Sequence, residues 1–156
     1  MKNNVLIKCA TPIQYDDRNR DGFVHDGWAR AAVNDPDPGH WQKLRTVPYD
    51  QGIWKEKYPL LAKIILDFDK YDDPDFPVNP AYSTVSGNVI IDAEGKLGRI
   101  AQSVYDYSTV ENNPVFTTME EAGLDTENYT FAPDSPVFAQ IPDFENLPVA
   151  DMGLKQ

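Results

Sequence analysis

The sequence predicts a mainly β fold, a short stack of parallel strands interrupted by one α-helical excursion around residues 26–70. Three observations lead there. Thirteen prolines and nine glycines in 156 residues punctuate the chain too densely for long helices. Apolar runs rich in branched residues recur behind asparagine, at Asn4 before Val5, Leu6 and Ile7, at Asn88 before Val89, Ile90 and Ile91, and at Asn112 in the run ENNPVF; Asn88 and Asn112 stand 112 − 88 = 24 positions apart. Stacked corner amides can hydrogen-bond along a repeat while apolar strands fill the interior. The segment 128–139, NYTFAPDSPVFA, reads as a closing strand, a Pro-Asp-Ser-Pro corner and an apolar pair that turns inward. Unrelated strands that each follow a polar turn fit the same pattern.

Taken in order, Asn4 to Tyr15 holds two short strands set at an angle by a Thr-Pro corner. A polar loop follows from Asp16 to Gly22. Asp26 is placed to cap a helix through Val33, with Trp28, Ala31 and Ala32 on one face, and the run NDPDPG stops it. Trp41, Leu44 and Arg45 suggest a further helical turn before Pro48. Pro59 starts the strongest predicted helix, because Leu60, Leu61, Ile64, Ile65 and Phe68 share a stripe. Residues 71–80, rich in Asp and Pro, read as a solvated connection. Strands are then expected over Val85 to Ile91 and Ile100 to Tyr107, separated by the turn that follows Ile91, with Val104 facing inward. The whole chain is expected to be a single domain, with the helical insertion over about 26–80 and the closing section over about 83–156.

A net charge of −11 and a pI near 4.4 exclude a nucleic-acid-binding role and disfavour anionic membranes, since phosphate contacts need clustered Lys and Arg. No window is long and apolar enough to span a bilayer, and the N-terminal stretch MKNNVLIKCATP lacks the core and cleavage site of a signal peptide. Cys9 is the only cysteine, so no intrachain disulfide forms; in an apolar strand without a local helper it reads as packing rather than as a nucleophile.

Several segments together resemble the C-terminal part of bacterial right-handed parallel β-helix proteins, the pectin-lyase-like class. They are NNVLIKCATPIQYDDR at Asn3 to Arg18, VPYDQGIWKEKYPLL at Val47 to Leu61, the strand starts at Asn88 and Asn112, and NYTFAPDSPVF with the closing ENLPVADMGL. The resemblance implies a partial, few-coil β-helix with a helical excursion, from an extracellular or cell-surface protein that binds or acts on a polysaccharide. It also implies coils upstream of Met1, or self-association that covers the first strand. On this reading the chain is a binding or capping section; the alternatives are a glycoside hydrolase or polysaccharide lyase, and a purely structural repeat module.

Candidate site residues cluster after the second strand. Asp16, Asp17 and Arg18 offer two carboxylates beside a guanidinium, the groups that act on a glycosidic bond, although neighbours on a strand point to opposite faces. The other reading is a polar loop in which Arg18 bridges the acids. Asp17, Asn19 and Asp21 with Gly22 match the first half of a calcium loop, while Trp28 stands where its final glutamate belongs. His25, Trp28 and Trp41 combine ring nitrogens with indoles suited to stacking on sugar faces. Trp54 is expected instead to anchor the excursion. Asn128-Tyr129-Thr130 is formally a glycosylation triplet.

Overall fold

The computed structural model describes residues 1–27, 30, 40–149 and 152. Along the chain run β1 (Val5–Ile7), β2 (Ile13–Tyr15), α1 (Arg18–Asp21), a π-helical turn (Gly22–Asp26), α2 (His40–Arg45), α3 (Gly52–Lys57) and two 3-10 turns (Leu61–Lys63, Phe68–Lys70). Then come β3 (Thr84–Ser86), β4 (Val89–Ile91), β5 (Gly98–Ile100), α4 (Gln102–Tyr107), β6 (Thr109–Glu111), β7 (Val115–Phe116), β8 (Leu124–Asp125), β9 (Thr130–Phe131) and α5 (Pro136–Gln140). The expected helix from Asp26 through Val33 falls largely outside the described residues.

The mainly β, right-handed parallel β-helix is not what forms. Among the described residues helix exceeds strand, and strands of two or three residues occupy four small separate sheets, one of them antiparallel, so the chain is a mixed α/β structure without a coiled β-helix. Parallel neighbours do occur. β1, β4 and β7 form one three-stranded sheet in the order β1-β4-β7, β2 pairs with β5, and β3 pairs with β6. Helices and irregular chain break their succession: the 68 positions from 16 to 83 separate β2 from β3, and α4 stands where the strand over Ile100 to Tyr107 was expected. A short apolar run serves either element, and only its packing decides.

By packing the chain divides into two compact units, one made of residues 1–15, 84–100 and 109 onward, the other of 16–83 and 101–108. In the first, Val89, Ile90 and Ile91 have no exposed surface, as a central parallel strand requires. Val89 and Ile91 pack with Phe116, Leu124, Phe131, Val137, Ile141 and Phe144. Each such side chain contributes about 1.5–3 kcal/mol on burial. The inward pair of the closing corner is Val137, fully buried, with Phe138 packed beside it. Ser135 makes that corner hold: its Oγ accepts from the Val137 N–H at 3.1 Å, caps α5 ahead of Pro136, and donates to the Ala122 carbonyl at 2.7 Å.

An asparagine column runs across β1, β4 and β7. Asn4 Nδ2 donates to Asn88 Oδ1 at 2.8 Å, and Asn88 Nδ2 donates to Asn113 Oδ1 at 2.7 Å. The third member is Asn113, 25 positions after Asn88, rather than Asn112, whose backbone turns at φ 51°.

The second unit is organised by aromatic rings and one arginine. Phe23, 1% exposed, stacks on Phe68 with centroids 5.6 Å apart and meets Phe76 edge-on at 5.0 Å. Residues 71–80, expected to be a solvated connection, therefore bury Phe76 and Val78. The guanidinium of Arg20 donates to the Tyr71 carbonyl at 3.1 Å, to Asn79 Oδ1 at 2.6 Å and to Asp72 Oδ1 at 2.6 Å. It also lies 5.9 Å from the Tyr71 ring centre and 5.1 Å from that of Tyr107. The predicted helix from Pro59 to Phe68 shrinks to the 3-10 turn at Leu61–Lys63. Ile64 leaves helical geometry at ψ 124°, and the Ile65 N–H bonds to the Asp75 carbonyl at 3.1 Å instead of continuing a helix.

Candidate functional site

The residues singled out by sequence lie in the second unit but do not converge on one point. Arg18 bonds Asp16 at 2.8 Å, with both side chains largely in solvent. Asp17 turns elsewhere, accepting from the Ser103 hydroxyl at 2.6 Å. Asn19 and Asp21 sit on α1, and Gly22 continues the helical path at φ −63°. At about 100° per residue such a path sets Asn19 on the side opposite Asp17 and Asp21. No group of three or more His, Cys, Asp or Glu residues able to hold a metal gathers among the described residues. His25 stands in solvent, 3.9 Å from Asp21. Trp28 and the side chain of Trp41 lie outside the described residues.

A cleft of about 330 Å³ opens instead beside the 3-10 turn, lined by Leu60, Leu61, Ile64, Pro74, Asp75, Phe76, Pro77, Asn79, Ala81 and Tyr82. Tyr82 is the exposed aromatic residue of its lining, which is otherwise mostly aliphatic and proline with few polar groups. The Tyr82 hydroxyl donates to Asp75 Oδ1, and Lys63 Nζ sits 5.3 Å from the Tyr82 ring centre. That hydrogen bond, together with the nearby carboxylates of Asp75 and Asp73, raises the Tyr82 phenol above its usual range, so it stays a donor through neutral pH.

The walls of this cleft are held by backbone bonds. Asp75 N–H bonds Asp73 Oδ1 at 2.9 Å, Asn79 Nδ2 donates to the Tyr71 and Asp73 carbonyls at 2.9 and 2.6 Å, and the Tyr82 N–H bonds the Tyr107 carbonyl at 3.3 Å. Tyr82 itself has a left-handed backbone, with φ 61°.

Sequence reasoning missed Lys63, Asp75 and Tyr82. Asp75 was hidden in a run whose Asp and Pro content suggested solvent, and the available signal was Phe76 and Val78 inside that run. Trp54 also departs from expectation, since it is 37% exposed and its ring lies 5.7 Å from that of Tyr58 rather than anchoring the excursion. Ile53, Tyr58 and Leu60 are exposed alongside in sequence.

No family model, no curated protein and no solved structure matches the chain. The fold and cleft define it only as a mixed α/β protein with a small, mostly apolar cleft. No helix among the described residues is long and apolar enough to cross a membrane.

Proposed function

We propose that the chain is a non-catalytic carbohydrate-binding section that takes a neutral oligosaccharide segment at the Tyr82 cleft. The observation that carries the reading is the pairing of a half-exposed Tyr82 ring with the Asp75 carboxylate on the rim of an apolar cleft. A ring supplies a face for the C–H side of a sugar, and a carboxylate accepts from its hydroxyls. The charge of −11 selects against polyuronates and other polyanions, which it repels. A polysaccharide ligand goes with an extracellular or cell-surface location. Hydrolysis or elimination at the Asp16 to Arg18 loop has no comparable support, because Asp16 is tied to Arg18 and Asp17 to Ser103.

The test is calorimetric titration of the chain with neutral cello-, xylo- and manno-oligosaccharides and with oligogalacturonate. A neutral oligosaccharide should bind and the oligouronate should not. Tyr82→Ala should weaken binding about tenfold or more, the loss expected for an aromatic contact worth about 1.4 kcal/mol or more. Failure of all neutral glycans, or an affinity indifferent to Tyr82→Ala and Asp75→Asn, sinks the reading.

A further inference from the structure

We infer that the edge of β1, which pairs only with β4 among the described strands, is a docking site for one further parallel strand, entered by an asparagine and supplied by another polypeptide. The asparagine column has a direction. Asn4 Nδ2 and its backbone N–H both donate to Asn88 Oδ1, at 2.8 and 3.3 Å, and Asn88 repeats the pair toward Asn113 Oδ1 at 2.7 and 3.1 Å. Each asparagine thus gives two donors to the next and offers its Oδ1 to the one before. At the β1 end the Oδ1 of Asn4 accepts from no described residue. The chemical group that fits there is another asparagine in the same register, donating from side chain and backbone.

The backbone of β1 points to the same occupant. The Val89 N–H bonds the Asn4 carbonyl at 2.8 Å and the Lys8 N–H bonds the Ile91 carbonyl at 2.9 Å, so positions 4 and 8 face β4. Alternation along a strand turns the N–H and C=O of Val5 and Ile7 to the open edge, in the spacing that a parallel partner reads, with the Ile7 carbonyl also accepting from Cys9 Sγ at 3.5 Å. The side chains agree, since Val5, Leu6 and Ile7 are half-buried whereas their register partners Val89, Ile90 and Ile91 have no exposed surface. Exposed Lys8, directly after β1, favours an acid at the same place in the incoming strand, where β4 itself carries Asp92. A second copy presenting its own β1 fits poorly, because two Asn4 Oδ1 acceptors would then face each other. Edge addition of this type is a known mode of peptide recognition, with main-chain bonds giving affinity and side chains specificity.

The experiment uses the whole chain and a synthetic peptide with the sequence of residues 84–92, TVSGNVIID, which already shows the required form. Saturable binding is expected, with new hydrogen-exchange protection at the Val5 and Ile7 amides. Alanine in place of the peptide's asparagine should weaken it about tenfold, as loss of a buried side-chain hydrogen bond does. Ile7→Pro in the protein removes an N–H that faces the open edge and should abolish binding; loss of the packed Ile7 side chain lowers the melting temperature as well, and unchanged protection at Val89 to Ile91 shows that the sheet is kept. Four outcomes overturn the inference: no binding at millimolar peptide, binding indifferent to the asparagine, loss of protection at Val89 to Ile91 showing that the peptide replaces β4, or prior protection of Val5 and Ile7 by self-association.

Discussion

The side-chain amide of Asn4 donates to Oδ1 of Asn88 at 2.8 Å across 84 positions of sequence, and Asn88 is fully buried. A buried amide with every hydrogen bond made is favourable, while its partners left alone are costly. Asn88→Ala removes the acceptor shared by the Asn4 side chain and backbone N–H, and one of the two donors to Asn113 Oδ1. It is expected to lower stability by about 2–4 kcal/mol, a fall of roughly 5–15 °C in Tm. Asn113→Ala should behave similarly, whereas Asn112→Gly, at a positive φ, should be neutral or slightly stabilising. Thermal melts of the three variants check the assignment of the corner to Asn113; equal losses at 112 and 113 would contradict it.

Gly98 marks a close backbone approach. A Cβ built there lies 2.0 Å from the Ile13 carbonyl oxygen, and φ is 143°. Gly98→Ala must therefore push β5 from β2, at an expected cost of about 3 kcal/mol or more. Gly95→Ala, also at a positive φ but facing open space, should cost only about 1–2 kcal/mol. Denaturant midpoints of the two variants give the comparison, and the ordering of the losses is the test.

Arg20 serves three acceptors with a planar fork while its side chain is only 18% exposed. A lysine cannot satisfy that geometry, so Arg20→Lys should cost about 2–3 kcal/mol. Asp72 is 65% exposed, and its ion pair is worth little in water; Asp72→Asn should cost less than about 0.5 kcal/mol. Asn79→Ala removes the acceptor for Arg20 and two donors to the Tyr71 and Asp73 carbonyls, so it should exceed Asp72→Asn clearly. Denaturant unfolding of the three variants reads these losses directly.

Two groups give opposite pH dependences. Burial pushes the Tyr107 phenol above its ordinary value, with Arg20 opposing and Asp72 adding to the rise. The folded state then holds the proton more tightly, so the contribution is complete below about pH 10 and lost as pH rises through the folded value. Tyr107→Phe should remove that alkaline dependence in a pH series of melts. The Asn128 side chain, then the Glu127 N–H, hold Asp125 below its ordinary value. Its contribution is present above about pH 4 and fades as pH falls through the folded value. Asn128→Ala should bring the Asp125 titration, followed by NMR, back up toward the ordinary carboxylate range.

What the sequence showed of the candidate site was its composition rather than its place. The acids, the two arginines and the histidine of residues 16–25 were legible, but their spacing did not reveal that Asp16 turns to Arg18 and Asp17 to Ser103, 86 positions away. Tyr82 and Asp75 escaped notice because neither lies in a motif. A phenol beside a carboxylate becomes a site only when the chain between them turns back, here with Tyr82 at φ 61°.

The sequence by itself determined β1, β2, the Val89 to Ile91 part of the strand expected over 85–91, the helical turn at α2 and the inward Val137, because each rests on local chemistry: branched residues in extended chain, a Thr-Pro corner, a Pro-Asp-Ser-Pro corner before an apolar pair. Only the tertiary structure decided that residues 102–107 are helical, that the Leu60 to Phe68 stripe breaks after one 3-10 turn, and that the strands gather into small separate sheets rather than a coiled β-helix. Strands of two or three residues have too few local bonds to define themselves. Except in the β8–β9 pair, their pairing depends on partners about 25 to 85 positions away, whose packing no local pattern encodes.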